Sequence, residues 1–349
     1  MTVDVEKNSG DYTEEELKQW KELYEQAAEL RDLQPWTVLK DLDVITIDLP
    51  EAEEPFFCSI SGKAGNRPAI HVLPGVEALQ NFYRLAASQG EETHRLALER
   101  QQMSCFFVDR ESVPEGQYKL IRDLKLKFRG AGQWITFEAY RPGYMPRLFL
   151  GDEVKILNRV YKHLLVALKK QKEGLLNADF NTGKTIVRFY DLEANAWDCV
   201  EDDAFIPDLD YPVVAVPADE AMEKGKKQPR AKDCLDLDLF FLPQPVGGEN
   251  GTAFYPRMLL LADHKTGKLH YNDLLVPGDV PAIAVFTALS AYILAQGRPR
   301  AVYVNQRLLQ RMLEDFGKEF NVEIRPAEKL DGLEPFKAKI FGGGKQSRP

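Results

Sequence analysis

The sequence predicts an α+β protein built from two mixed α/β domains. Three observations lead there. At 349 residues the chain exceeds what one ordinary core accommodates. Amphipathic stretches at helical spacing and short apolar strand candidates occur together in both halves. Between the halves lies a turn-rich segment, 177–184, which sets a first domain at residues 1–176 and a second at 177–349.

The first domain opens with a capping box, Thr13 and Glu16. Leu17, Trp20, Tyr24, Ala27 and Ala28 then give a helix one apolar face. Pro35 stops it, and strands are expected at 44–49, 56–60 and 69–73, punctuated by Pro50, Gly62 and Gly65. Val76, Leu79, Phe82 and Tyr83 mark a helix over 75–87, and a more polar one follows over 91–100. Residues 103–109 read as a buried strand, 118–124 as a helix and 134–140 as a strand. Asp152 is expected to cap a long helix with Val154, Leu157, Tyr161, Leu164, Leu165 and Leu168 on one face. His163 falls on the opposite, basic face.

The second domain opens with a strand at 185–190. Residues 223–233, almost without apolar side chains, read as an exposed, mobile loop. Strands at 237–242 and 257–262 follow, and the turn Asp263–Gly267 returns the chain over 268–275 as a hairpin. Asp279 is expected to cap an apolar helix over 282–295 with Pro281 in its first turn. This run is too short to span a bilayer and contains Thr287 and Ser290. A strand at 300–304, a helix faced by Leu308, Leu309, Met312, Leu313 and Phe316, and a strand at 321–325 imply a right-handed parallel crossover. The tail, 342–349, reads as disordered.

Composition narrows the function classes. Hydrophobic content of 44% and charged content of 28% describe a soluble globular chain. A net charge of −9 argues against a broad nucleic-acid surface. No basic and apolar leader is visible in the first residues, so the expected location is cytoplasmic, with no membrane partner. Cys58, Cys105, Cys199 and Cys234 form no Cys-x-x-Cys pair, which points to reduced thiols and no structural zinc. No cofactor is expected.

The segments "LQPWTVLKDLDVITID", "LKFRGAGQWITFEAYRPGY" and "YPRMLLLADHKTGKL" together resemble a bacterial family with two adjacent domains of unknown function. The first of these carries a Lys-Pro-Trp opening, here Gln34, Pro35 and Trp36, and a Lys-Phe-Arg-Gly…Tyr-Arg-Pro-Gly-Tyr block, here Lys127–Gly130 and Tyr140–Tyr144. The second carries a Tyr-Pro…Asp…Thr-Gly hairpin, here Tyr255, Pro256, Asp263, Thr266 and Gly267. The resemblance implies no activity, cofactor or catalytic residue.

Two constellations stand out. Arg129 and Arg141 could clamp a carboxylate or phosphate while Trp134 or Tyr144 stacks on a planar group. The same residues also read as a strand, its core contacts and a Pro-Gly turn. Second, the C-terminal order of hairpin, helix, strand, helix, strand resembles part of a ribonuclease-H-like arrangement. That fold, as a nuclease, holds metal ions with carboxylates on its first strand, a helix and a later strand. Asp263 is the candidate first carboxylate, but no acid follows in the apolar helix, and Asn305 stands where the later one belongs. The arrangement therefore reads as a degenerate one. His264 and His270, on the hairpin, read as surface residues of a polar turn. "NTGKT", 181–185, lacks the first glycine of a phosphate cradle, with Ala178 in its place.

The leading expectation is a non-enzymatic binding or regulatory module. It would present Arg129, Trp134, Arg141 and Tyr144 to an acidic or aromatic partner, either a protein or a small anionic ligand. The competing expectation is a metal-dependent phosphodiester-cleaving enzyme centred on Asp263. Whether the chain is an enzyme is left open at this stage.

Overall fold

A capping box starts the first helix, α1 (Glu14–Leu33). Glu16 N–H donates to Thr13 Oγ1 at 3.2 Å while the Glu16 carboxylate accepts from Thr13 N–H at 2.8 Å. Trp20, Leu23, Tyr24, Ala27 and Leu30 are its buried stripe, and Gln34 in the left-handed region ends it ahead of Pro35. The computed structural model describes residues 12–63, 65, 67–247 and 252–342. Residues 343–349 of the expected disordered tail lie outside these.

The chain divides into two units. The first comprises residues up to 89, 99–142 and 146–209. After α1 it contains β1 (Val44–Ile47), β2 (Phe56–Ser61), β3 (Ala69–Pro74) and α2 (Gly75–Ala87). The chain then passes through α3 (Glu91–Leu98), which belongs to the second unit. The first unit resumes with β4 (Gln102–Val108), α4 (Glu115–Asp123), β5 (Trp134–Tyr140), α5 (Gly151–Lys172), β6 (Lys184–Asp191) and β7 (Ala196–Asp203). Its seven strands lie in the order β5-β4-β3-β2-β1-β6-β7. All neighbours are antiparallel except β1 and β6, which run parallel.

Period-two alternation sorts these strands' side chains. Phe56, Cys58 and Ile60 join the main core with α1 and α5, while Phe57, Val44 and Leu73 meet α2 on the other face. The edge strand β5 is finished by a side chain. Gln117 of α4 donates to Phe137 O and accepts from Phe137 N–H, both at 2.9 Å, so an amide group substitutes for a neighbouring strand.

The second unit consists of 90–98, 143–145 and 210–349. Its elements are α3, α6 (Glu220–Lys226), β8 (Cys234–Phe241), β9 (Val246–Gly247), β10 (Ala253–Phe254), β11 (Arg257–Asp263), β12 (Leu269–Leu275), α7 (Pro281–Gln296), β13 (Ala301–Val304), α8 (Arg307–Met312), α9 (Glu314–Phe320), β14 (Glu323–Pro326) and α10 (Glu334–Gly342). Five strands lie in the order β12-β11-β8-β13-β14. The first three alternate in direction, and β13 and β14 run parallel to β8. Leu235, Leu237 and Leu239 of β8 enter a core with α7 and α9. Phe240 packs on the opposite face with Leu260, Leu330 and Leu333.

Several expectations change. The turn-rich stretch 177–184 is a helix-to-strand connection rather than a domain boundary. β6 pairs with β1, and the units divide between Leu209 and Asp210. Residues 223–233 are not a loop throughout. Asp219 caps α6 by accepting from Met222 N–H, and Met222 is buried. Gly225 is buried as well, and the backbone of Pro229 and Ala231 is hydrogen-bonded to that of Arg298. Glu153, rather than Asp152, ties the start of α5, accepting from Leu150 N–H at 2.7 Å. Asp279 precedes α7 by two residues and accepts from Val276 N–H. Elements with no counterpart in the sequence reading include the polar edge strand β7, the short pair β9 and β10, and the C-terminal helix α10.

Candidate functional site

The arginine-aromatic block is divided by the fold. Arg129, Trp134 and Arg141 belong to the first unit, and Tyr144 to the second. Trp134 starts β5, and its ring lies 6.0 Å from those of Phe128 and Tyr118. The guanidinium it meets is that of Arg110, 5.3 Å from the ring centre and 3.5 Å from that of Tyr118. Arg129 and Arg141 are exposed near the two ends of β5. Tyr144 sets its ring against Phe254 at 6.4 Å. Around it, Gly143 donates to Leu98 O and accepts from Tyr255 N–H, both at 2.7 Å. Gly143 has φ +79°, and a Cβ there would lie 3.4 Å from Pro277. The Pro-Gly pair is therefore a tight corner that only glycine enters without strain.

Asp263 shapes the hairpin turn. Its Oδ1 accepts from Thr266 N–H and Thr266 Oγ1–H, each at 2.7 Å. Partial burial, the largest influence, raises its pKa, but these hydrogen bonds hold the carboxyl below its usual value. Among the described residues no group of three or more His, Cys, Asp or Glu side chains could hold a metal ion. Cys58 and Cys105 are fully buried, and burial pushes both thiols up, away from reactivity.

The buried charges are elsewhere, on β8. Its sequence "CLDLDLFF" alternates, so Asp236 and Asp238 share the face of Phe240, and both are fully buried. Asp236 accepts from Gly332 N–H at 2.7 Å and contacts His264 Nδ1 at 2.7 Å. The His264 ring stacks on Tyr303, with centres 4.2 Å apart, so His264 is a packed member of the domain rather than a free surface residue. Asp238 accepts from Gln306 Nε2 at 2.8 Å and from Lys337 Nζ at 2.9 Å. Burial pushes both carboxyls above their usual range, opposed by His264 at Asp236 and by Lys337 at Asp238. At Lys337 burial works to lower the pKa, and the Asp238 and Glu91 carboxylates reverse this and hold the ammonium above its usual value.

Lys337 and Gln306 also line a cavity of about 550 Å³ in the second unit. Phe240, Phe241 and Phe341 supply aromatic walls, Arg95 and Arg307 supply further cations, and Glu91 and Glu92 supply carboxylates. The sequence reading missed this site for a definable reason. Alternating "LDLDL" is the pattern of a strand with one wet face, so both aspartates are expected in water. The cover comes from Gly332 and from α10, about 100 residues downstream.

These features define a two-domain α+β protein with a mixed sheet in each unit and a polar-based cavity in the second. Residues 20–188 match the family model described as a domain of unknown function (DUF7309), and residues 221–341 match a second domain of unknown function (DUF6930). The two matches follow one another along the chain without overlap. Comparison with curated proteins gives no match. No helix among the described residues is long and apolar enough to cross a membrane.

Proposed function

We propose that the protein is a ligand-binding module whose second unit takes up a small planar ligand in the cavity above Lys337. The observation that carries this reading is the cavity itself: about 550 Å³ with three phenylalanines on its walls, and a buried Asp238–Lys337 pair with Gln306 at its polar end. Ligand sites combine an apolar concavity with a few convergent polar groups and perturbed titrations.

Of the acidic and aromatic partners expected from sequence, the lining favours the aromatic one. Arg95, Arg307 and Lys337 are matched by Glu91, Glu92 and the Asp238 carboxylate bonded to Lys337, three cations against three carboxylates. Arg307 is further engaged by Asp210 at 2.6 Å. Little net field remains to draw an anion.

The test is a saturation-transfer NMR screen of neutral aromatic fragments against the full chain. Phe341 is 47% exposed, so Phe341→Ala spares the fold. Binding that weakens at least several-fold in this variant supports the module. Fragments that never bind, or bind the variant equally well, remove it.

The competing reading, a metal-dependent phosphodiesterase, is favoured by one observation. The strand order β12-β11-β8-β13-β14 is compatible with a ribonuclease-H-like arrangement, and β8 carries two buried carboxylates. Asp236 and Asp238, not Asp263, would then be the acids in question. Against this, the Lys337 ammonium and the Gln306 amide take up the Asp238 oxygens where a cation would need them. Magnesium- or manganese-dependent cleavage of nucleic acid, lost in Asp238→Asn, would establish that reading in place of the module.

A further inference from the structure

We propose that the outer face of α7 is an interface on which two copies of this chain pair antiparallel about a two-fold axis. No residue of α7 lines the cavity described above, and the composition of this helix does not match its position. None of its 16 residues, PAIAVFTALSAYILAQ, is charged. A helix apolar all round belongs in an interior, whereas a surface helix carries polar residues on its outer side. Val285, Phe286, Leu289 and Ile293 turn one side of α7 into the core. On the other side Ile283 is 63% exposed and Leu294 42%, with Thr287 and Ala291 exposed between them. At about 100° per residue these four form a single stripe along the helix, about 80° wide. An exposed stripe without charge marks a surface that meets another protein.

Two features identify the occupant as a second copy. The first is the order of sizes along the stripe: two large side chains, Ile283 and Leu294, flank two small ones, Thr287 and Ala291. In an antiparallel pair Ile283 meets Leu294 of the second copy and Thr287 meets Ala291. The two-fold axis then passes among the small residues, where the helices can approach closely. One self-complementary patch serves both copies, as an interface of this symmetry requires.

The second feature is charge. Asp273 and Asp279, both exposed, are the nearest charged residues ahead of α7. Arg298 and Arg300 are the nearest behind it, and Arg230 joins them through its bridge to Arg298. Asp233, the carboxylate beside these, accepts from the Tyr292 hydroxyl at 3.2 Å. Antiparallel pairing sets each acidic end against the basic end of the second copy, whereas parallel pairing sets like against like.

The test is sedimentation velocity of the full chain over a concentration series, repeated in Leu294→Glu and Ile283→Glu. Both side chains stand on the surface, so the substitutions spare the fold. The wild type is expected to pass from monomer to dimer at micromolar concentration. Either substitution should raise the dissociation constant at least about tenfold, since it puts a charge without a counter-ion into an apolar seam. A wild type that stays monomeric up to roughly 100 μM, or a dimer that both variants form equally well, overturns the proposal. Cross-linking reads the antiparallel register separately, in a Cys234→Ser background, because Cys58, Cys105 and Cys199 are buried. Ile283→Cys chains mixed with Leu294→Cys chains should form disulfide-linked dimers under mild oxidation. Neither variant alone should, because like positions stand about 16 Å apart along the helix axis. Cross-linking within one variant alone and none in the mixture overturns the register. Should the glutamate variants fail to fold, the cross-linking pattern decides by itself.

Discussion

The two units bury their polar groups in different currencies. On the sheet of the first unit the buried polar residues include the neutral Ser59, Gln102, Ser104, Thr136 and Thr185, with Gln117 at its edge, and one cation, Arg188, which lies over Trp197, but no carboxylate among the described residues. The neutral ones can be satisfied by a backbone or hydroxyl partner, as Ser59 Oγ–H is by Asp41 O at 2.7 Å. The second unit buries two carboxylates on one strand, and satisfying them takes a lysine, a histidine, a glutamine amide and a backbone N–H from segments distant in sequence. Burying an ion costs several kcal/mol that good pairing only offsets. A neutral pair would be less expensive to bury, so the charges point to use rather than stability. The cavity occurs where that expense has been met.

The sharpest way to break this comparison is to remove one charge of the pair. Lys337→Met leaves Asp238 buried without its counter-ion and is expected to cost about 3–5 kcal/mol. The double variant Asp238→Leu with Lys337→Met should recover most of that. All four tryptophans, Trp20, Trp36, Trp134 and Trp197, lie in the first unit. Calorimetry is therefore needed to see the loss, while tryptophan fluorescence should report an unchanged first unit. A shift of under 1 kcal/mol would show that the pair is not a structural centre.

In the first unit the matching excision is Gln117→Ala. It removes both edge bonds to Phe137 and leaves a buried N–H and C=O unpaired, for an expected loss of about 2–3 kcal/mol. Tryptophan fluorescence in urea reads it directly. A loss near zero would mean that water or a shifted strand replaces the amide.

These two sites differ in how far the sequence reveals them. The first unit's elements are legible because their partners are close at hand: the Thr13–Glu16 box, the α1 and α5 stripes, and the strands at 56–60 and 69–73 follow from local periodicity. Gln117 is not legible, since nothing in its neighbourhood announces that a helix will finish a sheet edge. The second unit's hairpin and α7 are visible for the same local reason as the first unit's helices. Asp236 and Asp238 are not, because their pattern is that of a half-wet strand and their cover arrives through Gly332 and Lys337. His163 fails similarly. Its basic neighbours place it on the wet face of α5, yet it is buried and stacked on Trp197 with ring centres 3.6 Å apart. Trp197 comes from β7, the strand whose acidic sequence concealed it.

That histidine supplies a titration. Burial first, then Arg188, Lys162 and Arg159, lower the His163 pKa from 6.5 to about 4. The folded state thus resists a proton that the unfolded state accepts. Between pH 6.5 and 4 the unfolded chain binds more protons, so the first unit loses stability as pH falls through that window. His71, lowered to about 4 by burial and by Arg100, acts in the same direction. His163→Phe keeps the stack on Trp197 and removes the titration. Its urea midpoint, followed by tryptophan fluorescence, should fall less steeply from pH 7 to 4 than that of the wild type. Identical slopes would assign the acid sensitivity to other groups.

The smallest effect is expected at the residue that first drew attention in the second unit. Asp263 accepts three hydrogen bonds from its own turn, from Lys265 N–H, Thr266 N–H and the Thr266 hydroxyl, and its side chain engages no metal-like cluster. Asx turns of this kind favour one local conformation over the unfolded alternatives. Asp263→Ala should cost about 1 kcal/mol, as loss of an exposed cap does, and Asp263→Asn less, because an amide oxygen can still accept. Ligand affinity in the cavity should not change in either variant, since neither side chain lines it. A calorimetric melt with and without an aromatic fragment that binds the wild type separates the two quantities. If Asp263→Ala abolishes binding while the melt is unchanged, the chemistry of this unit lies at the hairpin, and the charged pair on β8 is only its support.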